Sequence, residues 1–142
     1  MKDLLVNRSN TIILLVIIGM VVALSVGDVC KAAAQTQATK FEGYLADALC
    51  AGRGTALDGA DMLKHPEKHS VACLKEPPCV ASGYGVMTKG AGDTYTFHKF
   101  DKKGDELAQQ VIGKTKKSDS LSVEVMGAMK DGIINVTGIA EK

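Results

Sequence analysis

Three cysteines and two histidines crowd into one stretch of this chain: Cys50, His65, His69, Cys73 and Cys79. Sulfur and imidazole at these spacings support three kinds of chemistry. The first is a disulfide. If Cys30 is lost with an N-terminal leader, three cysteines remain in an oxidising compartment, enough for one bond and one odd thiol. Joining Cys50 to Cys73 or Cys79 staples the segment 51–72 onto the domain, worth ~2–4 kcal/mol in chain-entropy terms. Joining Cys73 to Cys79 closes only a small ring across Leu74-Lys75-Glu76-Pro77-Pro78.

The second chemistry is metal ligation. A helix from Pro66 to about Leu74 places His69 and Cys73 one turn apart on one face, with His65 at its mouth. Cys50 and Cys79 then complete a donor set for a transition metal, zinc or copper, or for a haem iron. The third is a thiol enzyme, with Cys73 and His69 as a dyad and Asp47 as the orienting group. Catalytic signatures are otherwise missing. There is no Cys-x-x-Cys, Gly-x-Ser-x-Gly elbow, His-Glu-x-x-His helix or phosphate-binding glycine loop. A plainer reading leaves His65 and His69 on a solvated face of the charged run 64–69, His98 in a strand facing water, and Met87, Met126 and Met129 filling the core.

The elements that must position these residues are short. Phe41 to Leu49 alternates as a first strand, and Ala51 to Asp61, with Gly52, Gly54 and Gly59, reads as a loop. Pro66 suits a first helical turn, and Pro77-Pro78 are expected to end that helix. Strands follow at 82–88 and 94–100, joined by a turn at Gly90 to Asp93, and a helix at 105–112 carries the i,i+4 pairs Leu107/Val111 and Ala108/Ile112. A last hairpin, 121–129 and 133–139, turns on Asp131-Gly132. About five strands with one or two short helices predict a mainly β domain, a small OB-like or Greek-key barrel over 41–142 with the Cys/His loop at 50–79. The alternative is an open α+β sheet. On such a barrel Tyr44, Tyr84 and Tyr95 offer a ligand face, set against ordinary strand packing.

Ahead of this domain stands a leader. Lys2 and Arg8 precede an apolar run at 11–26, and Ala32-Ala33-Ala34 supplies an Ala-x-Ala site with cleavage before Gln35. An uncleaved anchor competes, because about 16 apolar residues approach the span of a bilayer. Lipidation at Cys30 is disfavoured by Asp28 and Val29 before it. Each reading exports the domain across the cytoplasmic membrane, to a periplasmic or extracellular place, with residues 35–40 as a linker. Of the chain's 17 basic and 16 acidic residues, 14 of each lie beyond residue 34. That balance argues against nucleic acid as a partner, since phosphate neutralisation dominates such binding.

The segments Gly43-Tyr44-Leu45-Ala46-Asp47-Ala48-Leu49-Cys50, His69-Ser70-Val71-Ala72-Cys73 and Cys79-Val80-Ala81-Ser82-Gly83-Tyr84-Gly85-Val86 stand before the strands Val123-x-Val125 and Ile134-x-Val136. Together they resemble a family of small exported bacterial proteins of uncharacterised function with an OB-like barrel. The resemblance covers roughly residues 41–140. It implies that Cys50, His69, Cys73 and Cys79 form one constellation, and it supplies no activity. The long insert 51–64 departs from the shorter pattern and bears on His65 more than on His69. The function expected is an exported, non-enzymatic binding module whose Cys/His cluster is disulfide-stapled or metal-loaded. A thiol or redox enzyme, and a structural or interaction protein without a cofactor, are the alternatives.

Overall fold

The computed structural model describes residues 38–142. The leader expected at 1–34, its apolar run, Cys30, the cleavage point before Gln35 and residues 35–37 of the expected linker lie outside the described residues. Among the described residues, no helix is long and apolar enough to cross a membrane.

The domain is mainly β. Its strands are β1 Thr39–Asp47, β2 Tyr84–Lys89, β3 Tyr95–Phe100, β4 Ser122–Lys130 and β5 Ile133–Glu141. The helices are α1 Ala48–Arg53, α2 Val71–Leu74, α3 Pro77–Ser82 and α4 Lys102–Lys114. One sheet closes into a ring in the order β1-β2-β3-β5-β4. Closure depends on β1 serving two neighbours. Thr39 to Tyr44 pair with β4, and Tyr44 to Asp47 pair with β2, both antiparallel. Gly43 sits where the partners change, and a Cβ there would lie 2.1 Å from the Met87 carbonyl oxygen. Only glycine lets the backbones approach so closely. The other seam is a short parallel pairing of Lys99 with Ile133 and Phe100 with Ile134.

Several expected boundaries move. β1 starts inside the expected linker, because Thr39 and Lys40 find ladder partners in Gly127 and Met126. The start of the expected glycine loop is helical, since α1 is capped by Asp47 and closed by Gly54 in a left-handed conformation, φ 72°. The expected helix from Pro66 to Leu74 is broken. A 3-10 turn at Pro66–Lys68 is followed by extended backbone at His69 and Ser70 before α2 begins. Pro77 and Pro78 open α3 rather than ending a helix, because the first-turn positions have no intrahelical use for an N–H. The Asp131-Gly132 turn forms as expected, both residues at positive φ (52° and 80°).

Alternation along β1 and β2 builds two cores. Leu45 and Val86 point into the ring with Tyr84, Phe100, Val123, Val125 and Ile134, while α4 packs Ala108 and Ile112 on that same core. Ala46 and Met87 point the other way, into a smaller cluster with Met62, Cys50, Cys73 and Cys79. This second core lies under the excursion between β1 and β2. It is a lid of three helices and turns folded against the outside of two strands.

Candidate metal centre

Each cysteine is delivered by the same local device. Asp47, Ser70 and Glu76 are the N-caps of α1, α2 and α3, and Cys50, Cys73 and Cys79 each stand three residues later, in a first helical turn. The Cys50 amide donates to Asp47 Oδ1 at 2.9 Å, and the Cys73 amide donates to Ser70 Oγ at 3.1 Å. Those caps form because the first N–H groups of a helix have no partner within it. Glu76 makes no side-chain cap; Pro77 and Pro78 fix that start instead. Ser70 is itself clamped, its amide and hydroxyl both donating to Asp58 Oδ2 at 2.7 Å. Burial works to raise the Asp58 carboxyl, but these bonds and the Ala60 amide outweigh it and hold the group below its usual range. The clamp fixes the backbone next to His69.

The three helix starts converge on Cys50. Its sulfur lies 3.9 Å from Cys73 Sγ and 3.9 Å from Cys79 Sγ. Donor atoms of Cys50, His69 and Cys73 all fall within 4.8 Å of one another, as do those of Asp47, Cys50 and Cys79. Tetrahedral ligation at Zn–S ≈ 2.3 Å demands a sulfur–sulfur edge of about 3.8 Å. The Cys50–Cys73 and Cys50–Cys79 spacings each meet that demand. All five groups are buried: Asp47, Cys50 and Cys79 are 0% exposed, His69 2% and Cys73 4%.

Electrostatics give the site its character. Burial holds the His69 imidazole below its ordinary value of 6.5, against the opposing pull of Asp47 and Asp58. Burial pushes the Cys50 thiol up to about 12, although the Leu57 amide works the other way, and it pushes Cys79 up as well. Without a cation the site therefore holds Cys50 and Cys79 as neutral thiols and His69 as a neutral ring at physiological pH. Among the described residues, three buried side-chain atoms have no hydrogen-bond partner: Asp47 Oδ2, His69 Nδ1 and His69 Nε2. Nε2 faces Asp47 Oδ2 at 3.5 Å, near but not in hydrogen-bond contact. Leaving such groups unpaired costs ~1–3 kcal/mol each.

Of the expected site residues, Cys50, His69, Cys73 and Cys79 are brought together. His69 reaches Cys50 and Cys73 from extended backbone, not by helical spacing, because Ser70 is used as a cap. Among the described residues no sulfur pair stands at bonding distance; 3.9 Å is nearly twice a disulfide bond, and Cys50, Cys73 and Cys79 form no disulfide with one another. His65 points elsewhere, exposed and 3.0 Å from Glu67. His98 Nε2 meets Thr88 Oγ1 at 2.9 Å, on the flank of the ring. The expected tyrosine face divides. Tyr84 is 1% exposed and donates its hydroxyl to the Leu74 carbonyl at 2.9 Å, so it belongs to the core. Tyr44 and Tyr95 meet on the outside with ring centroids 5.9 Å apart, beside an open cleft of about 520 Å³. Met87 fills the second core as expected, but Met126 and Met129 are exposed: Met126 alternates outward against buried Val125 and Gly127, and Met129 lies at the end of β4, next to the turn.

Asp58 is the residue that reasoning from the sequence passes over, and Asp47 enters it only as the orienting group of a Cys73/His69 dyad. A signal for the capping role of Asp47 exists in the sequence, the repeated spacing of a capping residue three before a cysteine, Asp47 to Cys50 and Ser70 to Cys73. Neither a family model, a curated protein nor a solved structure matches the chain.

Proposed function

We propose that the protein is an exported metal-binding module holding one zinc or copper(I) ion through Cys50, Cys73, Cys79 and His69, with Asp47 orienting the histidine. One observation carries this reading: three buried polar atoms without partners, on Asp47 and His69, stand beside Cys50, whose sulfur lies at the length of a tetrahedral edge from both Cys73 and Cys79. A cation gives the imidazole lone pair a use. The opposite ring nitrogen then donates its N–H to Asp47, the carboxylate–histidine–metal arrangement that fixes ring and tautomer. Thiolates favour zinc and copper(I) over harder ions. Buried donor atoms of Cys50, His69 and Cys73 within 4.8 Å of one another suit a single ion, and Cys79 joins them through its 3.9 Å approach to Cys50.

Four protein donors fill a tetrahedron, so the reading is of a binding site and not a catalyst, which keeps a position open. Loading must expel protons from thiols that burial keeps neutral, so affinity rises with pH. An OB-like architecture is supported by the strand order and by α4 between β3 and β4. Export is supported by the basic start, the apolar run and the alanine site of the leader.

The test is metal uptake by the full-length chain, reduced and stripped, then offered zinc or copper(I). Native mass spectrometry with elemental analysis is expected to find one ion per chain, and none in Cys50→Ser. No uptake of either ion by the wild-type chain rejects the reading. N-terminal sequencing of protein from its own cells tests export separately. A start at Gln35 supports a cleaved leader, and an intact chain in the cytosol rejects export.

A further inference from the structure

We propose that Cys73 is the sulfur at which a hydroperoxide enters the cluster, and that Cys50 resolves the oxidised sulfur, so that a disulfide forms as the ion departs. The departure of the ion rests on the metal-binding reading above; the order of sulfur chemistry does not.

Access singles out Cys73. Cys50 and Cys79 have no exposed surface, whereas Cys73 keeps 4% and lines a surface cavity of about 380 Å³ with Leu57, Asp58, Ser70, Ala72 and Glu76. That cavity brings a small oxidant up to Cys73 and to neither of the other two cysteines. Geometry then singles out Cys50 as its partner. It is 3.9 Å away, and a movement of about 2 Å brings it to bonding distance. Cys50 is equally 3.9 Å from Cys79, so exchange can pass the bond from one pair to the other.

The step balances with hydrogen peroxide as the oxidant. The Cys73 thiolate attacks one peroxide oxygen; the S–O bond forms, the O–O bond breaks, and hydroxide leaves to be protonated to water. Cys50 then attacks the Cys73 sulfenic acid as a thiolate, its proton already expelled by the ion in the loaded chain and lost to solvent in the stripped one; the S–S bond forms, the S–O bond breaks, and a second hydroxide leaves as water. Two thiolates, one peroxide and two protons thus give one disulfide and two waters. Either disulfide, Cys50–Cys73 or Cys50–Cys79, removes two of four donors. What remains, one thiol and His69, is too few for a closed tetrahedral site.

The experiment treats the zinc-loaded full-length chain with one equivalent of hydrogen peroxide, alongside the stripped, reduced chain. Released zinc is read with a chromogenic chelator, and disulfides are mapped by non-reducing peptide analysis. One zinc is expected to leave per disulfide formed, and Cys50 is expected in every disulfide. In Cys50→Ser, a cyclic 1,3-diketone is expected to trap a sulfenic acid on Cys73. A Cys73–Cys79 bond, trapping on Cys79, or zinc retained after the disulfide has formed overturns the proposal. The wild-type map stands whether or not the variant folds. If the chain takes up no zinc, the metal reading fails on its own, and the map of the stripped chain still reports whether Cys50 and Cys73 react in this order.

Discussion

Replacing Asp47 by asparagine separates the two tasks of one buried side chain. Oδ1 accepts from the Cys50 amide at 2.9 Å and caps α1. Oδ2 faces His69 Nε2 at 3.5 Å and has no other partner. Asparagine caps about as well as aspartate, so the stripped, reduced protein should lose under ~1 kcal/mol in Asp47→Asn. The negative charge behind the imidazole is lost, however. Outer-shell changes of this kind typically cost about 10–100-fold in metal affinity, equivalent to roughly 1.4–2.7 kcal/mol. Asp47→Ala should show the same affinity loss and also lose the cap, a further ~1 kcal/mol of stability. Zinc affinity is measured by competition with a chromophoric chelator, and stability by urea unfolding of the stripped protein. If asparagine leaves the affinity within about twofold of wild type, Asp47 does not orient the ligand and the arrangement inferred here is wrong.

Three further outcomes test the structure. In the stripped, reduced protein, burial lowers the His69 pKa below 6.5, so the unfolded chain takes up a proton that the folded chain resists. Stability is therefore full above about pH 6.5 and declines as pH falls through the folded value; urea midpoints at pH 7.5 should exceed those at pH 5.5, and an equal gap in His69→Gln contradicts this. Tyr84→Phe removes the hydroxyl that serves the buried Leu74 carbonyl and should cost about 1–2 kcal/mol in urea unfolding with unchanged metal stoichiometry; altered stoichiometry would return Tyr84 to the site. In Gly85→Ala the new Cβ would lie 2.3 Å from the His98 carbonyl oxygen and 2.5 Å from the Phe97 ring. A loss of about 3 kcal/mol or a failure to fold is expected, and a loss below ~1 kcal/mol would place β2 and β3 differently.

The strands were legible because alternation and turn chemistry are local. Residues 122–130 and 133–141 pair around Asp131-Gly132, and only a left-handed two-residue turn permits that register. The excursion between β1 and β2 was not legible in the same way. Its helices run four to six residues, too short for a hydrophobic period to show, and isolated helices of that length do not persist in water. They exist because caps and the second core hold them. The expected helix through His69 failed for a related reason: Ser70 gives its hydroxyl to the Cys73 amide, and a capping residue leaves the helical conformation.

Residue types and their alternation pointed to the side chains that could meet a soft metal and to a mainly β domain that would carry them. Closure of the sheet, the burial of Tyr84, the separation of His65 from His69 and the 3.9 Å spacing around Cys50 were decided by tertiary structure. The reason is physical. Sulfurs separated by 23 and 29 positions in the chain meet only when β1 and β2 pair and the lid between them is forced to fold back on their outer face.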